Sequence, residues 1–177
     1  MTETSLQTAS RLHTELYASA PALRPGDVLL YARTGFFNWV IHHATNAPVS
    51  HTEVYVGDHM TAASRNGVGV DFYPFDPSGL AVVLRPKRKP AIWKGLEYQK
   101  SVLKQGYDWT GLLRAFVQNK WGRNNTKQWC SENSTNVQRA MRVEPFTPDV
   151  PADMVAPGDF LKSAAYTHVW KAAGFPL

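Results

Sequence analysis

The stretch Val49-Ser-His-Thr-Glu-Val-Tyr-Val-Gly57 decides the fold, because it has the pattern of a buried strand that opens on a histidine. Val54 and Val56 alternate with the residues between them, and Gly57-Asp58 follows where a hairpin turn is expected. The apolar run at residues 28–32, behind the turn Arg24-Pro-Gly-Asp27, predicts a second buried strand. The sequence therefore places His51 at the first residue of a central strand.

More strands follow the histidine strand without an intervening helix. Alternation and turn residues predict strands at residues 60–64, 68–72 and 80–84, so the middle of the chain is predicted to be an antiparallel meander. Such a run of strands favours an α+β fold with segregated helices over a doubly wound sheet. Apolar spacing predicts helices at residues 5–18, 36–45, 92–103, 108–120 and 130–141. We expect one domain over residues 1–177, with residues 1–20 as an N-terminal helical extension.

Composition and charge exclude several classes of protein. The chain has 177 residues, a net charge of +5 and one cysteine, so an internal disulfide and a multi-cysteine metal site are both excluded. The basic run Arg85-Pro-Lys-Arg-Lys89 lacks interleaved aromatic residues, which favours a solvated connector over a nucleic-acid surface. No stretch is apolar enough for a Sec signal peptide or a membrane-spanning helix. We expect synthesis in the cytoplasm, and any export to the cell envelope or a target cell would use a route other than Sec.

Cys130 is the strongest candidate for chemistry. It lies in Gln128-Trp-Cys-Ser-Glu-Asn133, where a polar stretch meets the helix predicted at residues 130–141. The free N–H groups and the positive dipole of a helix N-terminus favour a thiolate, and the same N–H groups can bind the oxyanion that forms when a thiolate attacks a carbonyl. A lone cysteine is more often a buried, inert residue, and the helix start reverses that interpretation here.

His51 is the predicted base for Cys130. Such a base must be held rigidly within hydrogen-bonding distance, and the first residue of a central strand meets that need. The remaining candidates have no comparable setting, and we interpret His42, His43, His59 and His168 as structural. Adjacent histidines on a helix point apart, so a metal site built from His42, His43 and His51 is not expected, and no cofactor is predicted.

Glu53 is the predicted partner of His51, because residues two apart on a strand leave the same face of the sheet. A carboxylate there would hold the tautomer of the imidazole and stabilise its positive charge. The alternatives are Ser64, Asp71 or a dyad with no third residue. A solvent-facing Glu53 is an equally open interpretation, since alternation alone does not say which face is wet.

Five short motifs resemble a known family. They are Pro25-Gly-Asp-Val-Leu-Leu30, Ser50-His-Thr-Glu-Val-Tyr-Val-Gly57, Asn66-Gly-Val68, Tyr107-Asp-Trp-Thr-Gly111 and Trp129-Cys-Ser-Glu132. In this order, with the histidine strand ahead of the cysteine helix, residues 24–165 resemble the circularly permuted papain-like branch of the NlpC cell-wall peptidase superfamily, the YiiX-like proteins. Many members carry a polar third residue on the strand after the histidine strand. This chain has Thr61-Ala-Ala-Ser64 there, so we assign the orienting role to Glu53.

The resemblance implies a small antiparallel sheet, curled toward a barrel and packed against the helix that begins at Cys130. It also implies a cysteine peptidase or amidase that hydrolyses its substrate through a thioester, with a peptide bond of peptidoglycan as the substrate in a bacterial or phage setting. Two alternatives stay open. One is a lipid or thioester acyl hydrolase or acyltransferase that uses the same Cys130 and His51 pair, and the other is a binding module whose catalytic site has decayed.

Overall fold

Six strands form one antiparallel sheet in the computed structural model, which describes residues 22–35, 41, 45–108 and 127–176. The strands are β1 (Val28–Tyr31), β2 (His51–Gly57), β3 (Met60–Arg65), β4 (Gly69–Pro74), β5 (Leu80–Pro86) and β6 (Tyr166–Lys171). Their order across the sheet is β4-β3-β2-β1-β5-β6, and all neighbours are antiparallel. The predicted α+β class is therefore confirmed, and the sheet is open, with β4 and β6 at its edges.

The strands predicted from alternation are present, but the sheet differs from the expected meander in two places. β5 pairs with β1 rather than with β4, so the meander is limited to β2, β3 and β4. The sequence pattern also misses β6. Thr167 and His168 of that strand are exposed, so it lacks the apolar alternation that identifies a half-buried strand.

Two α-helices lie within the described residues, α1 (Ile92–Ser101) and α2 (Cys130–Ala140). They match the helices predicted at residues 92–103 and 130–141, and two short 3₁₀ helices, Ala152–Met154 and Pro157–Lys162, follow. Ile41 and Thr45 are both helical, in keeping with the helix predicted at residues 36–45. The predicted helices at residues 5–18 and 108–120, and the extension at residues 1–20, lie outside the described residues.

The two faces of the sheet carry different neighbours. One face packs against Val137 of α2 and against Met141, which directly follows that helix, through Val28, Leu30, Val54, Ala62, Val82 and Leu84. Gly95 of α1 lies so close to Met141 that an added Cβ would overlap its side chain, which lets the two helices approach each other. The opposite face has a smaller cluster, which includes Leu29, Tyr31, Tyr55, Phe75, Leu80 and Val83. Because residues alternate along β2, His51 and Glu53 belong with Tyr55 on this second face.

The first three residues of β2 do not pair with β3. Within these two fully described strands, pairing begins at Val54, which lies opposite Ala62, and this leaves an opening in the sheet beside residues 51–53. The start of α2 fills the opening, where the hydroxyl of Ser64 on β3 donates to the carbonyl of Gln128 at 2.6 Å. The first residue of α2 can therefore reach His51, although the helix packs on the other face of the sheet.

Candidate active site

Cys130 is the first residue of α2, and only 2% of its surface is exposed. The helix begins after Trp129, whose extended backbone (φ −89°, ψ 177°) turns the chain into α2. The hydroxyl of Ser131, the residue after Cys130, donates to the carbonyl of Val155 at 2.6 Å. This bond ties the start of α2 to the segment around Val155. The sulfur therefore has a fixed position at the positive end of the helix dipole.

Three groups form hydrogen bonds with the sulfur of Cys130: the imidazole of His51, the backbone N–H of Thr52 and the hydroxyl of Tyr107. Burial raises the pKa of the thiol. The charge and hydrogen bond of His51, together with the bonds from Thr52 and Tyr107, outweigh burial, so the pKa of Cys130 lies below its ordinary value of 9.0. The thiolate is therefore favoured at a lower pH than in a free cysteine.

His51 bridges Cys130 and Glu53. Its Nε2 lies 3.0 Å from Glu53 Oε1, which leaves Nδ1 for the sulfur. Burial lowers the pKa of His51, but the charge and hydrogen bond of Cys130, followed by those of Glu53, raise it to about 9. Because the pKa of the thiol is lowered and that of the imidazole is raised, the pair of thiolate and imidazolium is favoured relative to a free cysteine and a free histidine.

Glu53 is fully buried, and both of its carboxylate oxygens accept hydrogen bonds. Arg65 binds it twice, from Nε to Oε1 at 2.8 Å and from Nη2 to Oε2 at 3.0 Å, and the hydroxyl of Thr61 donates to Oε2 at 2.6 Å. Burial raises the pKa of Glu53, but His51 and Arg65 lower it to about 2. Glu53 is therefore an anion at neutral pH, with its orientation fixed from two sides.

The structure brings Cys130, His51 and Glu53 together in one hydrogen-bonded chain. The alternatives for the third position lie elsewhere. The Ser64 hydroxyl bonds to a backbone carbonyl, and the Asp71 carboxylate accepts the N–H of the following residue at 2.7 Å. Among the candidates that the sequence offered, Glu53 is the one in contact with the imidazole.

The other histidines considered from the sequence do not join this chain where they are described. His59 lies in the turn after β2, with a φ of 56°. His168 of β6 bonds through Nε2 to the carbonyl of Leu161 at 3.1 Å. His42 and His43 lie outside the described residues.

Sequence reasoning missed three side chains that contact this chain: Tyr107, Thr61 and Arg65. Thr61 and Arg65 lie four residues apart on β3, so strand alternation predicts a shared face, but it does not predict which residue of β2 they meet. Tyr107 stands in a family-like motif, and that motif gave no role for its hydroxyl. The missing information in each case is the contact between segments distant in sequence.

Tyr107 contacts the sulfur and the backbone of Cys130 at the same time. Its hydroxyl donates to the sulfur and accepts the N–H of Cys130. Burial raises the pKa of Tyr107 well above 10, so the hydroxyl keeps its proton. The preceding segment lies against β4, because Gly69 has no Cβ to overlap the Gln105 carbonyl, and that carbonyl accepts the N–H of Val70 at 2.8 Å.

A network of side-chain amides supports the start of α2. Gln128 accepts from the hydroxyl of Tyr98 at 3.2 Å and donates to Gln105 at 2.9 Å. Asn133 of α2 donates to Gln99 of α1 at 3.1 Å, and both side chains are fully buried. These bonds fix the helix start relative to α1, as a preorganised site requires.

A cavity of about 460 Å³ lies beside α2 and not at the sulfur. Glu132, Asn136 and Arg139 line it from one side of the helix, and Cys130 is not part of the lining. The exposed fractions of Cys130 and His51 are 2% and 8%, so neighbouring groups must move before a substrate can reach the sulfur. The candidate site is therefore defined by its hydrogen-bonded groups and not by the cavity.

Two further properties concern metals and membranes. Across the part of the chain that the structure describes, no three side chains of His, Cys, Asp or Glu come together as a metal site requires. None of the helices in these same residues has the length and apolar character needed to span a bilayer.

The fold is similar to that of a solved bacterial protein. No family model matches the sequence, and no curated protein matches it. The structure of a protein described as metalloprotein YiiX (DUF1105) from Escherichia coli O157:H7 superposes with a TM-score of 0.64 and 17% identity. The similarity covers 84% of this chain and 97% of that chain. At this identity the similarity shows the fold alone, and the fold of this chain is YiiX-like.

Proposed function

We propose that the protein is a cysteine-dependent hydrolase of amide bonds with a circularly permuted papain-like arrangement. The observation that carries the proposal is the hydrogen-bonded chain from Cys130 through His51 to Glu53. A nucleophile, a base and an orienting carboxylate follow one another in it, as acyl transfer by a thiol requires. The lowered pKa of the thiol and the raised pKa of the imidazole both favour the reactive ion pair.

In the proposed reaction, the thiolate of Cys130 attacks the carbonyl carbon of an amide and forms a tetrahedral oxyanion. The imidazolium of His51 then gives its proton to the leaving nitrogen, the C–N bond breaks, and a thioester remains. His51, now neutral, takes a proton from water, which attacks the thioester and releases the acid and the thiolate. Glu53 acts as a positioning residue, because it holds the imidazole and stabilises its positive charge in both steps.

Stabilisation of the oxyanion is assigned to the start of α2 and to Tyr107. The free N–H groups at a helix N-terminus are donors for such a charge. The hydroxyl of Tyr107 lies against both the sulfur and the N–H of Cys130, and it keeps its proton. It is therefore a donor next to the place where the oxyanion forms.

Peptide bonds of peptidoglycan are the proposed substrate. The support is the resemblance of the sequence motifs to cell-wall peptidases, and the net charge of +5 suits a protein that meets an anionic polymer. The same pair of residues is chemically able to hydrolyse or transfer a lipid or thioester acyl group, so a test of the substrate includes both kinds of compound.

The proposed reaction uses no metal. The E. coli neighbour is described as a metalloprotein, which makes the fit of a cation beside His51 relevant. Both oxygens of Glu53 already accept hydrogen bonds, and the guanidinium groups of Arg65 and Arg33 lie 2.8 and 3.7 Å from it. Two guanidinium charges at this carboxylate repel a metal ion, so these residues do not fit one and no step passes through it.

The rate of alkylation of Cys130 by iodoacetamide, measured between about pH 4 and 10, tests the proposal. The wild-type thiol should react fast already below neutral pH, because His51 holds it as a thiolate. In His51→Ala the rate should follow an ordinary thiol and fall about 10²-fold at pH 6, where a free cysteine is almost entirely protonated.

The control is His168→Ala, since His168 does not belong to the hydrogen-bonded chain of Cys130, His51 and Glu53. The alkylation curve of this variant should match that of the wild type. Overlapping curves for wild type and His51→Ala would contradict the proposal and favour a decayed binding module.

A second experiment tests the substrate. Muropeptides and phospholipid vesicles are incubated with the protein, and the masses of the products are measured by mass spectrometry. Cleavage of phospholipid without cleavage of muropeptides would replace the peptidase by an acyl hydrolase, and Cys130→Ala should cleave neither.

A further inference from the structure

Arg33 carries a guanidinium nitrogen without a hydrogen-bond acceptor. Its Nη2 is buried and has no partner among the residues that the structure describes. The carboxylate oxygens near it are Glu53 Oε1 at 3.7 Å and Asp76 Oδ2 at 4.0 Å, both beyond hydrogen-bonding distance. The side chain as a whole is 29% exposed, so Nη2 lies close below the protein surface, and a movement of its neighbours would bring it into contact with a ligand.

Tyr31 provides a second hydrogen-bond donor without an acceptor, on a side chain that packs against Arg33. Its side chain is fully buried, and within the described ranges its hydroxyl also has no hydrogen-bond partner. The guanidinium carbon of Arg33 lies over its ring, 4.7 Å from the centroid. Buried polar groups without partners are rare in native proteins, so two of them on side chains that stack on each other require an explanation.

The charge on Arg33 is balanced only in part by Glu53, which lies 3.7 Å away and also pairs with Arg65 and His51. The two oxygens of Glu53 already accept hydrogen bonds from Arg65 and His51. Asp76, the other carboxylate near Arg33, is 47% exposed, and water screens such a charge. Arg33 therefore presents a positive charge and free N–H donors beside the proposed active site.

These donors lie close to the reacting groups. Arg33 Nη2 and His51 Nε2 both approach Glu53 Oε1, at 3.7 and 3.0 Å, so the two nitrogens are no farther apart than these two distances together. The ring centroids of Tyr31 and His51 are 5.8 Å apart. A group bound by Arg33 can therefore belong to the same small molecule as a carbonyl that Cys130 attacks.

We infer that Arg33 and Tyr31 form a subsite for a carboxylate of the substrate. A guanidinium and a phenol hydroxyl supply donors for both oxygens of a carboxylate, and charge-assisted bonds of this kind are stronger than neutral ones. The inference rests on the proposed function, because it assumes that the substrate reacts at Cys130. It makes a free acid the preferred substrate over the corresponding amide.

Paired bromoacetyl reagents test the subsite. Each pair has one, two or three glycines and ends in either a free carboxylate or a primary amide, and the sulfur of Cys130 displaces bromide from both. The measured quantity is the ratio of the acid rate to the amide rate, followed by mass spectrometry, relative to the same ratio for glutathione. In the wild type this ratio should exceed that of glutathione about tenfold at one spacer length. Arg33→Gln should return it to the glutathione value, and a ratio is insensitive to any general change in thiol reactivity.

Two further variants separate the subsite from other causes. Arg88→Gln removes the same charge from an exposed residue of the connector and should keep the wild-type ratio. Tyr31→Phe removes a hydroxyl without a partner, so the melting temperature should hold while the ratio falls. Equal ratios in wild type and Arg33→Gln, or an equal fall in Arg88→Gln, would overturn the inference. Failure of the proposed function gives a different result, because Cys130 would then react with both reagents as slowly as glutathione does, while the ratio still reports the subsite.

Discussion

Glu53 and Glu132 are two carboxylic acids close to Cys130, and their pKa values are shifted in opposite directions. Burial raises the pKa of both. In Glu53, His51 and Arg65 outweigh burial and bring the pKa to about 2. In Glu132, burial is the larger effect, and the pKa rises to about 8. The comparison shows that the cationic partners, and not the depth of burial, decide the charge of each group.

The surroundings of Glu132 explain its raised pKa. It lies in the first turn of α2, where its carboxylate accepts the N–H of Trp129 at a long 3.4 Å. Asp153 and Asp108 add negative charge nearby and raise the pKa further. Glu132 is therefore largely neutral near pH 7, whereas Glu53 is an anion that can hold an imidazolium.

Glu53→Gln should break the comparison with the largest effect. The change leaves the half-buried Arg65 opposite a neutral amide, which costs about 2 kcal/mol of unfolding free energy. It also removes the charge that orients and stabilises the imidazolium of His51, so the hydrolytic kcat should fall about 10²-fold or more. Urea denaturation at pH 7 and turnover of the substrate identified with muropeptides or phospholipids measure the two quantities.

Glu132→Gln is the matched control, because it makes the same chemical change in a carboxyl whose pKa is not lowered by any cation among the described residues. It should leave kcat within a few-fold of the wild type and should not lower the free energy of unfolding at pH 7. Similar losses in the two variants would mean that burial, and not the pairing with Arg65 and His51, sets the importance of these groups.

The pH dependence of stability sharpens the comparison with a smaller effect. The folded-state pKa of Glu53, about 2, lies below its ordinary value of 4.5, so its contribution is present above pH 4.5 and is lost as the pH falls toward 2. Glu132 acts in the opposite sense. The unfolded chain releases its proton near pH 4.5 and the folded chain keeps it to about pH 8, so stability falls as the pH rises between these values, by at most about 1.4 kcal/mol per pH unit.

Urea midpoints measured at unit steps of pH check both signs. In Glu132→Gln, the fall of the unfolding free energy above pH 4.5 should become less steep. The loss of stability at acid pH, which comes from Glu53, should stay as in the wild type. A decline that is equally steep in the variant and in the wild type would assign it to other groups.

Thr61→Val should have the smallest effect. It removes the 2.6 Å hydrogen bond to Glu53 Oε2, while Arg65 still binds the same oxygen. The expected loss is about 1 kcal/mol of unfolding free energy, with a less than tenfold fall in kcat. Thr61→Ser keeps the hydroxyl and should recover most of the difference in the same urea experiment. A loss as large as that of Glu53→Gln would show that Arg65 alone does not hold the carboxylate.

Local patterns in the sequence predict the positions of the candidate site residues. Cys130 is marked by a helix start, His51 by a strand start, and Glu53 by a spacing of two residues on the same strand. Arg65 and Tyr107 escape such reasoning, because their contacts depend on the register between β2 and β3 and on the path of a distant segment. The same cause explains the placement of β5, since alternation identifies a buried face and not the neighbouring strand.

The assignments of one domain over residues 1–177, of synthesis in the cytoplasm and of a non-Sec export route stay predictions. So does the permuted papain-like relationship, because the similarity to the E. coli protein concerns the fold. The predicted class of sheet and the helix that begins at Cys130 are confirmed by the structure. These two elements are the ones that short-range periodicity and capping determine.

Because β2 and β3 do not pair beside residues 51–53, the sulfur of Cys130 also has a structural role as a hydrogen-bond acceptor for β2. Thr52 lies two residues before Val54, where the pairing of β2 with β3 begins. Its N–H donates to the sulfur of Cys130, so a thiolate takes the place that a carbonyl of β3 would have filled. A descendant that lost the thiol would also leave this buried N–H without an acceptor, at a cost of about 1–3 kcal/mol. Selection for a stable sheet and selection for reactivity therefore act on one and the same atom.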